Sequence, residues 1–293
     1  MKNPIFVGAA TAIVTPMTKD GIDFDTFRRL IDWQIEQGIA AIVVAGTTGE
    51  GSTLNDAEHR AVIKFAVDYI AGRVPVIAGT GSNDIAYAIS LTKYACEVGA
   101  DAMLVVTPYY NKATQKGLIT SFTAIADAST KPIILYNVPS RTGCNILPAT
   151  AAALAKHPRI AAIKEASGDI SQIAETARLV GDDMVIYSGN DDQIVPVLSL
   201  GGMGVISVLS NILPAETQAM CDKFLAGDMQ GSLAMQLQYL PLVHALFSEV
   251  NPIPAKAAVS KIGFGENYLR LPLTPMDEQK QAVLFAEMEK QGL

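Results

Sequence analysis

A lysine ends one of the most apolar runs of the chain, Ile160-Ala161-Ala162-Ile163-Lys164. If that run is a buried strand, its last residue carries an amine to the strand end rather than into open solvent. An ammonium there is costly to desolvate unless it is paired. Free lysine titrates near 10.4, so neutrality at pH 7.5 costs about 4 kcal/mol. An apolar wall lowers the pKa, which is how a lysine becomes a Schiff-base nucleophile. The bland alternative for Lys164 is a pair with Glu165 or an excursion to solvent. Other reactive types follow similar runs. Tyr136 carries a phenol that must find a partner, either as a proton carrier or as a satisfied core tyrosine. Thr47 and Thr48, between glycines, offer two hydroxyls and several backbone N–H groups, enough to hold a carboxylate or simply to turn the chain. Arg141, between Pro139 and Gly143, suits a bidentate carboxylate clamp or plain exposure in a loop. Asp191 and Asp192 imitate a metal pair, but adjacent residues point in different directions, and capping of the next helix is the better reading.

The cysteines, Cys96, Cys144 and Cys221, are three in number, far apart and in no CxxC pair. A reducing compartment is expected rather than a disulfide framework. His59, His157 and His244 are scattered, with no HExxH, so no metal site is expected.

Something must hold these residues at strand ends. Apolar, β-branched runs recur at 9–14, 41–45, 74–78, 102–106, 133–136, 160–164, 184–187 and 204–207. Most are too uniformly apolar to be half-exposed, and they read as strands buried on both faces. Their starts are about 20 to 35 residues apart, one strand–helix unit. Residues 24–37, 55–70, 84–98 and 171–180 have helical period. Asn55 and Glu58 stand at capping-box spacing, and Gly38, Gly99 and Gly181 close their helices. Alternation of this kind predicts an α/β fold, either a (β/α)₈ TIM barrel or an open doubly wound sheet. No glycine-rich dinucleotide fingerprint follows the first run, which leads into Thr15-Pro16, and the count is eight, so the barrel is preferred. Residues 215–225, 230–246, 254–262 and 277–290 look helical. The expected organisation is a catalytic barrel over 1–225 and a C-terminal helical domain over 226–293.

Of the 293 residues 49% are apolar and 17% charged, which excludes disorder and a disulfide-stapled mini-fold. A net charge of −7 argues against nucleic acid or anionic lipid as a partner. Residues 193–215 carry no charge, but Pro196, Gly201, Gly202, Gly204, Asn211 and Pro214 make them a buried helix, strand and loop rather than a membrane span. The first residues are too weakly patterned for a signal peptide, and a cytoplasmic protein is expected.

Barrel chemistry gathers at the C-terminal ends of the strands. There stand Gly46-Thr47-Thr48-Gly49-Glu50, Pro108-Tyr109-Tyr110-Asn111, Tyr136-Asn137-Val138-Pro139-Ser140-Arg141-Thr142-Gly143 and Ile163-Lys164-Glu165-Ala166-Ser167-Gly168-Asp169. Each segment is a weak signal, but four in order, over nearly the whole chain, are specific. Together they resemble the pyruvate-dependent, Schiff-base class I aldolase/lyase family. The resemblance implies that Lys164 forms an imine with pyruvate, that Tyr136 is the acid/base, and that Thr47 links it to Tyr110 in a proton relay. In this family the tyrosine matching Tyr110 reaches the neighbouring subunit's site, which implies a homodimer or a homotetramer built from dimers. The Thr47-Thr48 turn would hold the pyruvate carboxylate, with Gly189 and Ile206 giving backbone contacts near the imine. No cofactor is implied, since the lysine provides the electron sink. Arg141 points to the branch that condenses pyruvate with aspartate semialdehyde; N-acetylneuraminate lyases and 2-keto-3-deoxy sugar-acid aldolases are the alternative.

Two readings from other classes carry less. A non-catalytic barrel is disfavoured because every candidate reactive residue is present. A phosphate-binding isomerase is suggested by Gly201-Gly202-Met203-Gly204, but that cluster precedes the last strand, where a tight turn explains it. Members of the family are often inhibited by lysine. The matching pocket would include Ser52, Leu54, His59, Asn83 and Tyr109. The acidic side chain of the lysine-sensitive pattern falls at Tyr87 and a histidine of it at Asp56, so weak or absent lysine inhibition is expected.

Overall fold

Eight parallel strands close on themselves in the computed structural model, which describes residues 2–293. They are β1 (Gly8–Ala12), β2 (Ala41–Val44), β3 (Val76–Gly79), β4 (Ala102–Val106), β5 (Ile133–Asn137), β6 (Ile160–Glu165), β7 (Val185–Ser188) and β8 (Gly204–Ser207). Each pairs with its sequence neighbours, and β8 returns to β1. The fold is the expected TIM barrel. Alternate residues explain the uniformly apolar runs. On β2, Ala41 and Val43 face the barrel interior, while Ile42 and Val44 face the helices. Both faces are covered, so every position is apolar.

Helices α1 (Phe24–Glu36), α2 (Asp56–Ile70), α3 (Ile85–Val98), α4 (Gln115–Asp127), α5 (Pro139–Thr142), α6 (Pro148–Ala155), α7 (Ile170–Val180) and α8 (Ile194–Ser199) lie between the strands. The capping box is present: Asn55 accepts from the Glu58 N–H, and Glu58 accepts from the Asn55 N–H, both at 3.0 Å. The sequence reading leaves α4, α5 and α6 unassigned, and the loop it expects around Arg141 is the short helix α5. Helix α6, Pro-Ala-Thr-Ala-Ala-Ala-Leu-Ala, has too many alanines for a helical stripe to stand out.

Helix α9 (Pro214–Leu225) packs on β1 and completes the outer ring. Helices α10 (Met229–Leu246), α11 (Ile253–Lys261) and α12 (Glu278–Glu289) follow. The N-terminal mouth of the barrel is plugged. Phe6 stacks on Tyr187 at 4.2 Å, and the Tyr187 hydroxyl donates to the Phe6 carbonyl at 2.8 Å. Burial pushes that phenol up to about 12. The opposite end, where the strands finish, stays open. Among the described residues no helix is long and apolar enough to cross a membrane.

Candidate active site

Lys164 points into the barrel because of an irregularity that the apolar run conceals. Ile133 of β5 opposes Ile160, but the next residue, Ile134, opposes Ala162, so β6 carries one extra residue at Ala161. Ile160 faces the helices. Strict alternation from there would send Lys164 the same way; the bulge re-aims it inward. Ala162 faces inward and Ile163 outward, as that shift requires. Lys164 is 5% exposed and makes no ion pair with any described residue. Its Nζ sits 4.3 Å from the centre of the Tyr136 ring, a cation–π distance. The two are direct partners in the β5–β6 register, which puts them side by side on one face.

Glu165, the nearest sequence carboxylate, faces away. It accepts from Asn137 Nδ2 at 3.0 and 3.1 Å and from the Ser167 N–H at 2.9 Å. Burial holds its carboxyl above the ordinary carboxylate range, against those hydrogen bonds. Gly189, just after β7, makes room for the lysine chain: a Cβ there would come within 2.6 Å of Ala166 Cβ and 3.0 Å of Lys164 Cε. Its N–H donates to the Glu165 carbonyl at 2.7 Å.

The turn after β2 is tightly wound. The Glu50 N–H donates to the Thr47 carbonyl and the Gly51 N–H to the Gly46 carbonyl, both at 3.1 Å. Any Cβ on Gly51 would stand 2.2 Å from the Ala45 carbonyl oxygen, so only glycine closes this turn. Thr48 is buried and accepts from Asn251 Nδ2 at 2.9 Å. Glu50 is buried too, and Lys256 of α11 pairs with it. Burial holds the Lys256 amine below its ordinary value, against the pull of Glu50.

Thr47, Thr48, Tyr136, Arg141, Lys164 and Gly189 line one cavity of about 160 Å³, with Phe247 and Asn251 of the C-terminal segment on its wall. That volume suits a small keto acid better than a drug-sized ligand, whose sites run about 300–1,000 Å³. Arg141 Nη2 donates to the Asn251 carbonyl at 3.3 Å. Thr47, Tyr136 and Arg141 also line a neighbouring cavity of about 480 Å³, with Ser52, Leu54, Asp56, His59, Tyr87 and Tyr109.

Two expected site residues lie elsewhere. Ile206 is buried inside the barrel and lines neither cavity; Val208, two residues on, lines the smaller one. Tyr110 is 91% exposed, at φ 68°, and lines neither cavity. Asn83 of the regulatory set is also absent from both walls.

The expected capping role of the aspartate pair needs correction. Asp191 is fully buried, and its Oδ2 accepts from the Val208 and Leu209 N–H groups at 2.9 and 3.0 Å. It therefore fixes the turn after β8, not the helix that follows β7. Sequence reasoning missed Asn251, Phe247 and Lys256. Asn251 stands 203 residues from Thr48, and no spacing rule spans that gap.

The chain matches the model of the "Dihydrodipicolinate synthetase family" over residues 5–291. It is 56% identical to the 4-hydroxy-tetrahydrodipicolinate synthase of Lachnoclostridium phytofermentans over 99% of both chains. It is 54% identical to that of Alkaliphilus oremlandii, over 99% of this chain and 100% of the relative. A solved dihydrodipicolinate synthase from Acinetobacter baumannii, complexed with pyruvate, superimposes with a TM-score of 0.95 at 44% identity, over 98% of this chain and 99% of the other. A barrel whose sixth strand aims a buried lysine at a small open cavity, and whose sequence runs with these relatives from end to end, belongs to the dihydrodipicolinate synthetase family.

Proposed function

We propose that the chain condenses pyruvate with L-aspartate 4-semialdehyde to give 4-hydroxy-tetrahydrodipicolinate, the first committed step towards diaminopimelate and lysine. The observation that carries this is the buried Lys164 against Tyr136 in a cavity walled by Thr48 and Arg141. Family membership supports it. Lys164 Nζ attacks the pyruvate ketone, water leaves, and an iminium forms. The iminium accepts the electron pair released when a methyl proton departs, giving an enamine. The enamine carbon attacks the aldehyde, and the amino group of the second substrate closes the ring as Lys164 is released. Tyr136, beside Lys164, is the acid/base group. The Thr47-Thr48 turn takes the pyruvate carboxylate, and Arg141 takes that of the semialdehyde.

Tyr110, exposed and held at a left-handed φ, is read as reaching the site of a second copy, where it extends the relay through Thr47. A homodimer, or a tetramer of two dimers, follows from that reading. Residues 1–225 then carry the chemistry and 226–293 form a helical domain. The cytoplasm, where the three cysteines stay as thiols, is the compartment this implies.

A coupled assay with pyruvate and aspartate semialdehyde, run beside one with N-acetylneuraminate, tests the assignment. Turnover with the semialdehyde and none with N-acetylneuraminate is expected; the reverse result makes the chain a sugar-acid lyase. Arg141→Ala should lose about 1.5–3 kcal/mol of carboxylate binding, roughly 10- to 150-fold in kcat/KM for the semialdehyde. Trapping of pyruvate by borohydride should persist in that variant. An unchanged kcat/KM would remove Arg141 from the role.

Weak or absent inhibition by lysine is expected from the larger cavity. Its wall has a phenol, Tyr87, where a ligand ammonium would want a carboxylate. The Asp56 carboxylate lines the same cavity, but both its oxygens accept from Arg60 Nε at 2.9 Å. That contact holds its pKa below the ordinary value, with the Tyr87 hydroxyl adding to it. An ammonium without its carboxylate partner should bind about 2–3 kcal/mol more weakly, near a hundredfold. Titration of activity against L-lysine decides the point: half-inhibition at sub-millimolar lysine would show that the pocket works without a carboxylate at Tyr87 and that Asp56 serves after all.

A further inference from the structure

We propose that Asn251, from the segment between α10 and α11, is a positioning residue for pyruvate, acting through Thr48. The proposal rests on the reading that the Thr47-Thr48 turn receives the keto acid's carboxylate. Asn251 is 5% exposed and touches both Thr48 and Arg141 on the wall of the smaller cavity. Its Nδ2 donates to Thr48 Oγ1 at 2.9 Å, and its backbone carbonyl accepts from Arg141 Nη2 at 3.3 Å.

A threonine hydroxyl has one hydrogen to donate and lone pairs that accept. With Asn251 donating to Thr48 Oγ1, the Thr48 hydrogen must turn away from the amide. Thr48 lines the cavity, so that hydrogen is free to meet an incoming carboxylate. Without the amide the rotor is unconstrained, and the hydroxyl must be ordered when the ligand binds. The Asn251 carbonyl does the corresponding work for Arg141, holding one guanidinium nitrogen so that the rest of the fork is presented. Because that contact is made by the main chain, side-chain replacements separate the two effects. They should disturb the first substrate and largely spare the second.

A second observation places Asn251 under constraint. Five residues on, Lys256 pairs with Glu50, in the same turn as Thr48. Asn251 and Lys256 therefore grip this turn at two points, one polar and cavity-lining, the other charged and dry. Asn251 is the cavity-lining one.

The test measures the pyruvate concentration for half-maximal borohydride trapping on Lys164, which needs no second substrate. Failure of the semialdehyde assignment is thereby kept apart from failure of this one. Asn251→Ala should raise the half-saturating pyruvate about fivefold, the worth of one neutral hydrogen bond. Asn251→Asp should raise it about a hundredfold, since a carboxylate claims the Thr48 hydrogen and repels the substrate's own charge. In both variants kcat at saturating pyruvate should change by less than about twofold, as loss of uniform binding predicts. Combined with Thr48→Val, Asn251→Ala should add nothing further, since its effect runs through that hydroxyl. Melting curves report whether each variant is folded. Half-saturation unchanged in the near-isosteric Asp variant overturns the proposal. So does a fall in kcat with half-saturation unmoved, which marks a structural role, or an Asn251→Ala effect that persists undiminished in the Thr48→Val background.

Discussion

Lys164→Ala should abolish condensation, with kcat/KM falling at least about 10⁴-fold, because the covalent route is lost rather than weakened. Borohydride with pyruvate should no longer modify the protein, whereas in the unsubstituted chain mass spectrometry should find the pyruvate-derived adduct on Lys164. An adduct on Lys112, in the loop after β4, or on Lys116, in the first turn of α4, would defeat the assignment. The folded state should not suffer. Lys164 is 5% exposed and holds no ion pair with a described residue, so the Tyr136 ring is the contact that offsets the cost of burying its ammonium. Lys164→Met, which keeps the chain length against the Tyr136 ring, should melt at or above the temperature of the parent. A drop of many degrees in Lys164→Met would mean that the lysine is a structural element of the barrel, and the loss of activity would then say nothing about chemistry.

The same residue shows how far the sequence reaches. That a lysine ends a buried strand can be read from Ile160-Ala161-Ala162-Ile163-Lys164. Which way it points cannot, because the four apolar positions before it carry no alternation with which to phase the strand. The bulge at Ala161 decides it, and the register against β5 reveals the bulge. Tyr136 and Lys164 illustrate the opposite case. Both end neighbouring runs, and parallel strands in sequence order put their ends together, so their proximity follows from counting strands. The capping box at Asn55 and Glu58 is equally local and was legible for that reason. Asp191 was not. Its donors, the N–H groups of Val208 and Leu209, come from the next strand end, while its sequence neighbours suggest an ordinary helix start. Asn251 is harder still, since asparagine before proline reads as a turn, and nothing local says that the turn abuts Thr48.

The buried pair between Glu50 and Lys256 should produce the largest stability effect in the molecule. Their side chains are 0% and 3% exposed. Lys256→Met removes the charge that faces Glu50 and leaves the carboxylate with the Arg270 N–H, at 3.3 Å, as its remaining hydrogen-bond donor. Breaking one side of such a pair costs about 3–5 kcal/mol, because the survivor is an uncompensated buried charge. For a chain of this size that corresponds to a melting temperature lower by about 5–8 °C. Glu50→Gln together with Lys256→Met should recover most of the loss, since no charge is then stranded and a buried ion pair is itself worth little net. Activity should not recover in step. Glu50 sits at φ 55° in the turn that carries Thr47 and Thr48, and the pair is what fastens that turn to α11. With neither charge present the turn is free to relax, so the double variant should melt near the parent yet require more pyruvate for half-maximal trapping. A Lys256→Met variant within about 0.5 kcal/mol of the parent would show that Glu50 finds another partner or takes up a proton, and the pair would then hold neither the fold nor the turn.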